Sequence, residues 1–111
     1  MAIEDLGSID AIGVDRETGF VVLTVADAWD WSDEVKHLEV LQAKLNSYLN
    51  FIESGEVWSS FPDSAGRTVV VDIVMRYKLP TAAEEFIAKA RHIFSEQGIQ
   101  LRHRHFGGGS G

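Results

Sequence analysis

Apolar positions along the 111-residue chain follow two rhythms. Alternation marks strands, and recurrence every three or four residues marks helices. "IDAIGVD" (Ile9 to Asp15) is a short apolar run with β-branched residues. "GFVVLTVAD" (Gly19 to Asp27) is a longer one. Between them, Asp15 can open a turn, and Gly19 supplies the left-handed position that closes a short hairpin loop. Two antiparallel strands are expected.

A helix is expected next, over 33–54, about 33 Å long at ~1.5 Å per residue. Ser32 is the expected N-cap, and Asp33 and Glu34 follow where the helix dipole favours negative charge. Val35, Leu38, Leu41, Leu45, Tyr48, Leu49 and Ile52 form one stripe, and Val40 and Phe51 widen it. Gly55 is the expected stop. "EVWSSFPDSAGR" (Glu56 to Arg67) reads as a loop carrying two aromatics, Trp58 and Phe61.

"RTVVVDIVMRYK" (Arg67 to Lys78) is the clearest strand. Val69, Val71, Ile73, Met75 and Tyr77 give it an apolar face that should carry the helices. Val70, Asp72, Val74 and Arg76 give it a mixed face, expected to be partly wet. Pro80 ends the strand. Thr81 and Glu84 have the spacing of a capping box. Phe86, Ile87, Ala90, Ile93 and Phe94 make a second helical stripe, closed by Gly98. "IQLRHRHF" (Ile99 to Phe106) is a last strand. The order is ββαβαβ. Its later β-α-β unit implies a right-handed crossover between parallel strands. The expected fold is α+β in two layers, with a four-stranded mixed sheet and two helices on one face. The strand order stays open.

Composition narrows the function classes. Residues 1–106 fit one domain, and Gly107 to Gly111 read as a linker or tag remnant outside it. The absence of cysteine removes disulfides, thiolate metal sites and cysteine nucleophiles, and fits a cytoplasmic compartment. No run reaches the ~18 apolar residues that span a bilayer, so no membrane partner is expected. The acidic N-terminus lacks the basic start of a secretion signal. The net charge of −7 disfavours nucleic acid. The charge is also uneven. Residues 1–63 hold 13 acids and 3 bases, whereas 64–111 hold 4 acids and 7 bases. Chain halves need not be surface halves, but an acidic face for a basic partner is one reading.

Candidate chemistry is sparse. His103 and His105 form H-x-H on a strand, a spacing that can chelate a metal, but no third ligand can be placed beside them. Arg102 and Arg104 alternate with them, so this end reads better as a basic strand, and no metal or other cofactor is expected. The acids Asp30, Asp33 and Glu34 sit where capping and dipole roles account for them. The familiar nucleophile, zinc, nucleotide and calcium motifs are all missing, so catalysis is not expected. "AWDWSDE" (Ala28 to Glu34) remains. Alternation puts Trp29 and Trp31 on one side of the chain and Asp30 on the other. The two rings either close the end of the core or stand exposed among acids as an anchor for a basic protein. Trp58 and Phe61 could extend such a patch. Gln42, Asn46 and Asn50 form a polar stripe, either a solvated back face or a recognition face.

The segments "IDAIGVDRETGFVVLTVAD", "HLEVLQAKLNSYLNFIESGEVW" and "FPDSAGRTVVVDIVMRY" resemble a family of short bacterial proteins of unknown function. The resemblance covers roughly residues 3–95, and "LQAKLNSYLNFIESG" and "PDSAGR" are its most family-like stretches. It implies a shared pattern along the first helix, made of Leu41, Gln42, Lys44, Leu45, Asn46, Tyr48, Phe51, Ile52, Glu53, Ser54 and Gly55. It brings no catalytic residues. The expected function is therefore a protein-binding module of immunity or regulatory type, without catalysis. Its contacts would be Trp29, Asp30, Trp31, Asp33, Glu34, Trp58 and Phe61. The alternatives are a small ligand-binding domain or enzyme with a pocket near Trp58 and Phe61, or a self-associating domain such as a homodimer.

Overall fold

The computed structural model describes Ile3 and residues 9–105. Phe106 and the Gly107–Gly111 tail lie outside the described residues. The elements in chain order are β1 (Ala11–Val14), β2 (Val21–Asp27), α1 (Glu34–Glu53), α2 (Glu56–Ser60), a 3₁₀ turn (Pro62–Ser64), β3 (Val69–Met75), α3 (Thr81–Glu96) and β4 (Gln100–His105). The strands lie in the order β1-β2-β3-β4. β1 pairs antiparallel with β2, and β2, β3 and β4 run parallel. This is the expected α+β fold with a mixed sheet.

The register explains the core. Leu23 lies opposite Val71, and Val71 opposite Leu101. That parity gathers Val21, Leu23, Val25, Val69, Val71, Ile73 and Leu101 on one face. Leu41, Leu45, Tyr48 and Ile52 of α1 join the same buried cluster, as do Ile87, Ala90 and Phe94 of α3. Both long helices therefore cover one face. Three parallel strands with helices on one side leave all their carboxyl ends on a single rim, where Asp27, Met75 and His105 finish their strands.

Local chemistry departs from expectation at four points. Asp33, not Ser32, caps α1, and its Oδ1 accepts from the Lys36 N–H at 3.1 Å. Ser32 is instead held by the Asp30 carboxylate. The Thr81–Glu84 capping box does not form. Pro80 is the N-cap, and its carbonyl accepts from Ala83 and Glu84. Thr81 is already helical, so its hydroxyl is one position too late. The expected loop 56–67 contains α2 and the 3₁₀ turn, nucleated by Val57, which is fully buried. Finally, the second face of β3 is not wet. Val70, Asp72 and Val74 are all buried, because β3 is central and Arg102 and Arg104 fold back onto Asp72 at 3.5 and 2.9 Å. The hairpin turn is as expected, with Gly19 at φ 75° and Asp15 accepting from Glu17.

Candidate functional site

The chain leaves β2 at Asp27 and must cross the rim to reach α1. Alternation along β2 turns Asp27 inward with Val21, Leu23 and Val25. One turn before Leu41, His37 lies on the buried stripe of α1. The two side chains meet. His37 Nε2 lies 2.6 Å from Asp27 Oδ2, and both residues are 1% exposed. His37 Nδ1 donates to the Asp30 carbonyl at 2.9 Å. That carbonyl can only accept, so Nδ1 carries a proton, and a second proton lies between Nε2 and Asp27. The pair has no net charge whichever partner holds that proton. Burial pushes the Asp27 carboxyl up, and the hydrogen bond and charge of His37 oppose it.

The tryptophans complete this box. Trp31 stacks on the His37 ring with centroids 3.6 Å apart and planes at 15°. Trp29 meets the same ring edge-on at 5.6 Å. Both are half-buried, and Trp29 packs on the core. The expected alternation is present, with two rings on one side and Asp30 outside. Both nitrogens of His37 are committed. A general base needs a nitrogen within reach of its substrate, so this histidine positions the loop.

Outside the box the surface is acidic. Asp30, Asp33 and Glu34 are exposed. A cleft of about 390 Å³ is lined by Trp29, Asp30, Ser32, Asp33 and Lys36. The Asp30 carboxyl is lowered by its bonds from Ser32 Oγ and N–H. Four of the seven residues expected to form a contact site thus lie on or beside one another at the rim, namely Trp29, Asp30, Asp33 and Glu34, and Trp31 braces them from within. Trp58 and Phe61 do not join them. They follow the far end of α1, whose 20 residues separate the two regions by about 30 Å. Trp58 is 41% exposed, and Phe61 is half-buried against the core. His103 and His105 are exposed on β4. Among the described residues, no group of three or more His, Cys, Asp or Glu side chains is placed to hold a metal ion.

A second buried polar cluster was not singled out in the sequence. Lys44 Nζ lies 3.3 Å from Asp10 Oδ1, with both side chains buried. Asp10 Oδ2 accepts from the Ala26 N–H at 2.9 Å. The Tyr48 hydroxyl donates to the Thr24 carbonyl and accepts from the Asp10 N–H at 2.9 Å. The hydroxyl therefore continues the β1–β2 ladder one step past Ala11, where the strands part. Burial pushes the Tyr48 hydroxyl well above its usual value. The signal for both clusters was a polar residue at a core position. His37 and Lys44 fall on the apolar stripe of α1, and Asp27 falls at the inward parity of β2.

The profile of a family of unknown function, DUF6572, matches residues 1–107, and the chain belongs to that family. No curated protein and no solved structure matches the chain. Among the described residues, no helix is long and apolar enough to cross a membrane.

Proposed function

We propose that this DUF6572 member is a small cytoplasmic, bacterial protein-binding module of immunity or regulatory type, acting without catalysis. Its contact surface is the acidic end of the sheet rim, and its partner presents basic residues. The observation that carries this reading is the cleft lined by Trp29, Asp30, Ser32, Asp33 and Lys36, in which Asp30 and Asp33 are exposed. A cleft that brings an aromatic residue together with exposed carboxylates suits a lysine or arginine side chain. The buried His37–Asp27 pair supports the reading, because it holds both tryptophans and the Asp30 backbone in place before any partner arrives. Preorganisation of this kind reduces the ordering cost of binding.

Asp30→Asn with Asp33→Asn tests it. Asparagine retains the capping and turn hydrogen bonds while removing the charge. The tagged chain and the double variant are compared in pull-downs from the source cell's lysate at low and high salt. The expected result is a basic protein retained by the native chain at low salt, released at high salt, and lost from the variant. Equal retention by the variant overturns the acidic-surface reading.

A further inference from the structure

The same rim has a second cleft with the opposite character. It lies where β3 and β4 end beside the start of α3 and encloses about 280 Å³. Met75 and Leu79 give it an apolar side. Lys78, His103, Arg104 and His105 line the rest, with Glu84 as the single carboxylate of the lining. In a chain of net charge −7 this is a local reversal of sign. The side chains of Lys78, His103 and His105 make no hydrogen bond or ion pair with another described residue. Arg104 is different, since its Nε is tied to Asp72 at 2.9 Å. Residues two apart on a strand project from one face, about 7 Å from each other. His103 and His105 therefore face the cleft together, and the carboxyl ends of parallel strands are where open α/β sheets bind ligands.

We propose that this cleft binds a phosphate-type anion, with Lys78 and the His103–His105 pair as its donors. A lysine ammonium and two imidazoles offer convergent donors to a tetrahedral anion. The electrostatics suit an incoming negative charge. Burial makes His103 harder to protonate, and Arg91 and His105 add to this, while Glu84 and Asp72 oppose it. Arg91 and Glu84 lie on α3, Asp72 on β3, and His105 on the same strand. A bound anion offsets the first set, so binding favours the protonated form of His103. The proposal does not rest on the protein-binding reading.

The test is a ¹H–¹⁵N NMR titration of the full chain with inorganic phosphate to about 50 mM at about pH 6.5, with ionic strength held constant by sodium chloride. A second titration uses phosphoserine, to separate a free anion from a phosphorylated side chain as the source. The expected result is saturating shifts confined to residues near 78 and 103–105. Lys78→Ala and His105→Ala, both on exposed side chains, each weaken binding at least about fivefold. Saturation by phosphate supports a free anion, and tighter saturation by phosphoserine supports a phosphorylated side chain. Shifts that spread over the surface without saturating for either probe, or saturation unchanged in both variants, overturn the proposal.

Discussion

His37→Ala removes the centre of the tryptophan box, and its cost can be worked from the geometry. The substitution deletes the 2.6 Å bond to Asp27 and the 2.9 Å bond to the Asp30 carbonyl. A hydrogen bond to a charged group contributes roughly 1.5–3 kcal/mol, and a neutral one roughly 0.5–1.5 kcal/mol. The stack with Trp31 adds about 0.5–1.5 kcal/mol. Asp27 is left buried without its partner, and breaking a buried pair in this way costs about 3–5 kcal/mol. These contributions overlap, so the expected loss is about 3–5 kcal/mol, a large share of the ~5–15 kcal/mol that holds a domain folded. Urea unfolding followed by tryptophan fluorescence measures it, since two of the three tryptophans sit on the deleted ring. His37→Phe separates the contributions. It retains the ring stack and deletes both hydrogen bonds, and should lose about 2–4 kcal/mol. A loss below about 1 kcal/mol for both variants would refute the claim that the buried pair holds this loop.

Tyr48→Phe removes the hydroxyl that bridges the Thr24 carbonyl and the Asp10 N–H, and should cost about 1–3 kcal/mol in urea unfolding, with faster amide exchange at Asp10. Lys44→Met leaves Asp10 buried without its ion-pair partner and should cost about 3–5 kcal/mol, while adding Asp10→Asn should recover part of that loss in a double-mutant cycle. For Asp27, burial raises the folded-state carboxyl above its ordinary 3.8. The folded chain then binds more protons than the unfolded one between 3.8 and the raised value, so this group's stabilisation is full below that window and lost as pH rises through it. Asp27→Asn should abolish that slope and still bond His37 through its amide; unfolding curves for both proteins across pH 4–8 check this, and parallel stability profiles would contradict it. Gly98 sits at φ 76° just after α3, and Gly98→Ala should cost about 1 kcal/mol in thermal unfolding.

Much of the fold was legible because burial writes a period into the sequence. Alternation located β2 and β3, three- and four-residue spacing located α1 and α3, and Gly19, Gly55 and Gly98 mark turns where the structure has positive φ. Trp29 and Trp31 were legible as a pair sharing one side of the chain. The caps were less so, since several polar residues compete within one turn. Ser32 and Asp33 are adjacent candidates, and only the backbone at Asp33, with φ −124° and ψ 86°, decides which carboxylate or hydroxyl reaches the Lys36 N–H. The short α2 was missed because five residues carry too little of a period to separate helix from loop.

The sequence by itself determined the four strands and the two long helices, the core-facing side of β2, β3, α1 and α3, and the acidic character of residues 1–63. Those properties are local, set by side chains within a turn or a strand of one another. Tertiary structure decided which polar residues meet. Asp27 and His37 are ten positions apart, and Asp10 and Lys44 are thirty-four apart. Each looks like a misplaced polar residue on an apolar face until its partner arrives from another element. Tertiary structure also separated Trp58 and Phe61 from Trp29 by the length of α1, and brought residues from Met75 to His105 together at one rim. Pairings of this kind depend on strand order and register, which a hydrophobic pattern constrains by parity without saying which strands are neighbours.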